Sequence, residues 1–334
     1  LNVQLRLLGF TRPAHDEALV LLDEVERLLL RDLLPAAARG DLPLLDHHTQ
    51  RRSPRWARGV SRLAGEALRR ELLEAPGVTS RRVDDLARLL RQRQRLVHRW
   101  QDRLAARGFV LEPPDRLAYG RADRRVLRRW VPSRELRFFD RVQRQLLQPP
   151  AARTLRQLVQ LVAASVARHE LQHRLDYRHH RRTEPPTPYR QRLAPLRDRR
   201  GRLRPRARRA LHELSAYLAE IARDRRTLRT NLSLLARYVL DLDYHGRPEA
   251  RAVQVLMEGL DALLNPALAA ARVDPRRTAP DRAALAARFQ RLLATPPALV
   301  RRMAGRLWRR LFGAPLAPLA VDRRARAYPA ARCP

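Results

Sequence analysis

Residues 169–173 read His-Glu-Leu-Gln-His. On a helix, residues four apart lie one turn above each other, so His169 and His173 would point two imidazoles the same way, spaced to hold one metal ion. Glu170 would lie about 100° round the same helix, where its carboxylate can reach a water beside that metal. Neutral imidazoles as ligands, an open coordination position and a carboxylate to take the water's proton are what a zinc hydrolase requires. The residues thus imply Zn²⁺ as cofactor, His169 and His173 as metal ligands and Glu170 as general base.

That chemistry needs a helix with its histidines turned inward. The apolar run from Leu155 to Val166 leads into the pentapeptide. Leu158, Val162, Ser165, Val166, His169, His173 and Asp176 follow steps of three and four, so both histidines continue a mostly apolar stripe. The spacing predicts a helix over about 152–181, opening after Pro149-Pro150, the clearest internal boundary. Two histidines do not make a stable zinc site, and a third protein ligand is expected. Two residues compete. Glu213 stands in His212-Glu213-Leu214-Ser215-Ala216-Tyr217 on the next long helix, where Glu213, Tyr217 and Glu220 share a stripe. His179 follows His173 by six residues. In an unbroken helix that places it about 120° away and about 9 Å along the axis, so Glu213 is the favoured ligand and His179 the alternative.

These residues resemble two classes of zinc metallopeptidase. H-E-x-x-H followed by a Glu on a later helix is similar to the gluzincins, over about residues 155–221. His169, His173 and His179 are similar to the metzincin pattern H-E-x-x-H-x-x-G-x-x-H, with Asp176 where that glycine stands and no convincing methionine turn downstream. The gluzincin resemblance implies a zinc-dependent hydrolase of the zincin superfamily, cleaving a peptide or protein substrate. It also implies a donor to the developing oxyanion, for which Tyr217 and His212 are the candidates. The carboxylate that often follows the ligand Glu by four is replaced by Tyr217, and Asp176, one turn after His173, is the candidate to orient an imidazole instead. Known zincins lay substrate along an edge strand near the metal helix, and Phe109–Glu112 is the candidate for it.

The remaining chain supplies the scaffold. Helices are expected at about 14–34, 60–73, 83–106, two short ones in 123–148 broken at Pro132, and then 207–225, 227–240, 249–264, 281–294 and 298–312. Residues 1–12 alternate briefly and suit a strand. The fold class is therefore mainly α, a multi-helix zincin-like core with at most a few short strands. Three regions follow: 1–150 N-terminal and helical, 151–245 the metal-binding core, and 246–334 C-terminal and helical with a loose tail. The Arg- and Pro-rich stretch 183–205 lacks apolar periodicity and reads as a surface excursion or a partly disordered segment. Asp46-His47-His48, in a polar loop without regular spacing, reads as surface.

Charge points to a rival function. The chain holds 70 basic and 34 acidic residues, a net charge of +36, and no lysine; every basic residue is arginine. Such a field attracts nucleic acid, an anionic membrane surface or other anionic polymers, in a salt-sensitive way. Only 5% of residues are aromatic, without the basic–aromatic alternation that stacks bases. One cysteine, Cys333, excludes an internal disulfide and a cysteine-based zinc finger, and suits a reducing compartment. No transmembrane stretch and no signal peptide are visible.

Overall fold

The computed structural model describes residues 8–11, 18–42, 55–109, 121–178, 200, 202, 204–240, 247–266 and 282–317. It is mainly helical, as the periodicity requires. A two-stranded antiparallel hairpin, β1 (Gly9–Thr11) and β2 (Ala18–Val20), pairs Gly9 with Val20, Phe10 with Leu19 and Thr11 with Ala18. There follow α1 (Leu22–Leu28), a π turn (Leu29–Leu33), α2 (Leu34–Arg39), α3 (Arg55–Leu73), α4 (Ser80–Ala105), α5 (Arg121–Trp130) and α6 (Ser133–Leu147). The second half holds α7 (Ala151–Arg178), α8 (Pro205–Arg223), α9 (Leu228–Leu240), α10 (Pro248–Leu264), α11 (Arg282–Ala294) and α12 (Pro297–Phe312).

One expectation fails in the first helix. Residues 18–20, read as part of a helix over 14–34, form strand β2 instead. Leu19, Leu22 and Val25 keep a three-residue spacing that suits a helix, but pairing of Ala18–Val20 with β1 overrides it. The π turn then lets Leu28, Leu29, Leu30, Leu33 and Leu34 all be buried, more than one regular helical stripe accommodates.

Helix α8 is the centre of the larger core, with α7, α10 and α12 packed on it. Its run Leu214 to Ile221 is buried on all sides. A helix enclosed in this way must offer its polar residues to other polar side chains, which is how Glu213 and Glu220 come to face α7. On α7, Leu155, Leu158, Leu161, Val162 and Val166 are buried, each stabilising by roughly 1.5–3 kcal/mol. Buried side chains from Val25 to Leu311 form one cluster. That cluster draws side chains from all three regions expected from the sequence.

A second, smaller cluster lies between α4, α5 and α6 around Trp100 and Phe139. Trp100 stacks on Phe139 with ring centroids 5.1 Å apart, and its Nε1–H donates to Glu135 at 2.7 Å. Helix α4 begins at Ser80, three residues before the expected start at about 83, and is capped by Thr79, whose hydroxyl accepts from the backbone N–H of Arg82 at 3.3 Å. Pro132 separates α5 from α6, and Pro149-Pro150 separates α6 from α7. No helix among the described residues is long and apolar enough to cross a membrane.

Candidate metal centre

His169 and His173 lie one turn apart on the inward side of α7, and Glu213 reaches them from the facing side of α8. His169 Nε2 and His173 Nε2 are 3.0 Å apart. Glu213 Oε2 lies 3.5 Å from the first and 3.8 Å from the second. A circle through three atoms with those separations has a radius of about 2.0 Å. Zinc takes imidazole nitrogen at about 2.0–2.1 Å and carboxylate oxygen at about 2.0–2.2 Å, so the donor set fits that ion in chemistry and in size. Among the described residues no other group of three histidines, cysteines or acids converges in this way. His179, the alternative ligand, lies outside the described residues, as do Asp46, His47, His48 and Cys333.

The charges are arranged to suit a cation. Burial alone would lower the pKa of His169, but the carboxylates of Glu213 and Glu220 outweigh it and raise it to about 10. His173 is pushed down to about 3, by burial first and then by the charge of His169. Burial would raise Glu213, yet its contact with His169 and the charge of that imidazolium bring it down to about 2. The metal-free protein thus keeps a proton on His169, where a divalent ion can replace it.

Behind His169 stands Glu220, whose Oε2 lies 3.4 Å from His169 Nδ1. It occupies the place expected of Asp176, that of a carboxylate orienting an imidazole. Asp176 accepts a hydrogen bond from Gln172 at 2.9 Å, and His173 Nδ1 has no hydrogen-bond partner among the described residues. Glu220 was visible in the sequence as part of the Glu213–Tyr217 stripe. Seven residues bring a helix back to nearly the same face, so a carboxylate seven after the ligand was the signal to weigh.

Glu170 is buried between α7 and the hairpin. The hydroxyl of Thr11 lies 3.1 Å from its Oε2 and 3.0 Å from its backbone oxygen. The β1 backbone approaches so closely at Gly9 that an added Cβ would lie 2.7 Å from Glu170 Cγ. Burial raises the pKa of Glu170, opposed by the charge of His169 and the Thr11 hydroxyl. A carboxylate raised in this way is a better proton acceptor. The strands beside α7 are therefore those of this hairpin. Phe109, the described end of the expected edge strand Phe109–Glu112, is not in a strand and packs on Trp130 with centroids 5.9 Å apart.

Tyr217 is buried with its ring 5.0 Å from that of His169, and burial followed by the neighbouring Tyr238 raises its phenol well above the usual range. His212 packs on Tyr177, with ring centroids 5.3 Å apart. Tyr177 was not singled out from the sequence, although it continues the 169–173 spacing by one more turn. It stacks near His173 at 6.4 Å, is only partly buried, and its phenol is raised by burial and by the charges of Glu213 and Glu170.

Comparison with known proteins returns no match to a family model, to a curated protein or to a solved structure. The site's own geometry carries the functional reading.

Proposed function

We propose that the chain is a zinc-dependent hydrolase, a metallopeptidase with the gluzincin order of ligands, in which His169, His173 and Glu213 hold the metal. The observation behind it is the convergence of three ligand atoms at about 2.0 Å from a common point beside a buried, raised carboxylate. Zinc bound there supplies a water of lowered pKa and a Lewis acid for a substrate carbonyl. Glu170 accepts the water's proton and delivers it to the leaving amine. Thr11 and the close backbone at Gly9 hold that carboxylate in place. Tyr177, partly exposed and stacked near His173, joins Tyr217, which packs on His169, and His212, which packs on Tyr177, as a candidate donor to a developing oxyanion.

The test is Glu170→Gln. It should keep zinc and lower the cleavage of a casein or a mixed peptide library by at least about 10²-fold. Turnover near the wild-type rate would remove Glu170 as the base.

A second reading, binding of nucleic acid or an anionic membrane surface through arginine, has one local observation in its favour. An open groove of about 810 Å³ between α4 and α6 is lined by Arg95, His98, Arg99 and Arg134 together with Gln92, Leu96 and the acidic Glu135, with Phe138 exposed beside them. Tight, salt-sensitive binding of a single-stranded oligonucleotide by a protein that takes up no zinc would favour it over the hydrolase.

A further inference from the structure

Behind the metal centre, a file of buried polar side chains connects α7, α8 and α9. It starts at Asp224, which is fully buried at the end of α8. Asp224 Oδ1 accepts from the backbone N–H groups of Arg226 and Thr227 at 2.8 and 2.9 Å, and Arg168 lies 3.1 Å from it. Its Oδ2 receives the Thr227 hydroxyl, and Asn231 Nδ2 at 2.7 Å. A carboxylate ringed by donors can only accept, so the amide of Asn231 must turn its NH₂ toward it. The other hydrogen of that NH₂ then goes to Ser165 Oγ at 2.7 Å. Ser165, having accepted there, is left to donate, and Glu220 Oε1 accepts its hydrogen bond at 2.6 Å while Asp224 Oδ2 is farther off at 3.4 Å. Glu220 Oε2 is left facing His169 Nδ1 at 3.4 Å, within ion-pair reach of the nitrogen turned away from His173 and Glu213.

Each step fixes the direction of the next. The donor–acceptor order set at Asp224 runs through Asn231, Ser165 and Glu220 to His169, and leaves Nε2 as the nitrogen that faces His173 and Glu213. An imidazole bound through one nitrogen depends on what holds the other. We propose that Ser165 and Asn231 are positioning residues for the metal. On this account they orient Glu220, and through it lock His169 in the tautomer and rotation that present Nε2 to the cation. The proposal rests on the metal-centre reading given above. It adds two residues, on α7 and α9, that touch neither metal nor substrate.

The experiment measures zinc affinity by chelator competition for wild type, Ser165→Ala, Asn231→Leu and the double variant, with urea unfolding of each metal-free protein beside it. The expected result is a roughly 10–100-fold loss of zinc affinity in each single variant. The double variant should lose no more than the worse single one, because either change cuts the same file. Where a variant does not fold, Ser165→Cys and Asn231→Ala read the same quantity. Folded variants with wild-type zinc affinity would overturn the proposal, as would losses that simply add. A wild-type chain that binds no zinc overturns the metal-centre reading itself, a result distinct from either of these.

Discussion

Adding zinc to the metal-free protein should release one proton per chain, drawn from His169. At neutral pH the three candidate ligands start in unlike states. Glu213, held at about 2, is ionised, and His173, held at about 3, is neutral. His169, raised to about 10 by Glu213 and Glu220 against its burial, is an imidazolium. A cation needs the lone pair of Nε2, so it must displace that proton. The sign follows from the raised pKa: below it the protonated form dominates, and the form able to bind gains about tenfold for each pH unit climbed. At pH 7 the shortfall is about three decades, or about 4 kcal/mol. Calorimetric titration with zinc in two buffers of unlike ionisation heat, at pH 6, 7 and 8, reads the proton count directly. One proton into the buffer and an affinity that rises about tenfold per unit are expected. No proton released at pH 7 would refute the reasoning, since both imidazoles would then be neutral and the two carboxylates would not clamp His169.

Two further perturbations separate activity from fold. Gly9→Ala puts a Cβ 2.7 Å from Glu170 Cγ and 2.7 Å from the Leu19 backbone oxygen. The hairpin or the base must shift, so peptide cleavage should fall about 10²-fold while zinc stoichiometry, measured by metal analysis, stays at the wild-type value. Glu71 is buried and caps α9, accepting from the backbone N–H groups of Arg229 and Thr230 at 2.6 and 2.7 Å. Burial nonetheless raises its pKa from 4.5 to about 7. A carboxyl raised on folding favours the folded state below its unfolded pKa and loses that contribution as pH climbs through its folded one. Urea unfolding of metal-free wild type should therefore lose up to about 3 kcal/mol relative to Glu71→Gln between pH 4.5 and 8, and parallel curves would contradict it.

Much of this architecture was legible because the helices are long and periodic. The apolar stripe of α7 carried both histidines inward, and the 213–217–220 stripe marked the face of α8 that meets them. What escaped was tertiary. Strand β2 has three residues, too few to display a two-residue period, and its spacing also suits a helix. The pairing that makes it a strand joins it to Gly9–Thr11, whose contact with Glu170 spans about half the chain and leaves no local mark. Glu220 was on the right stripe, but a carboxylate four residues after Glu213 was the one sought. Asn231 had no signal of its own, since its role depends on Asp224 and Ser165 meeting it across three helices.

The most direct measurement is zinc content after equilibrium dialysis for wild type, His169→Ala, His173→Ala and Glu213→Ala, with the fold of each checked by far-ultraviolet circular dichroism. One zinc per wild-type chain is expected, absent in the two histidine variants and lost or greatly weakened in Glu213→Ala. A folded wild type without zinc, or histidine variants that retain it, would contradict the metal centre.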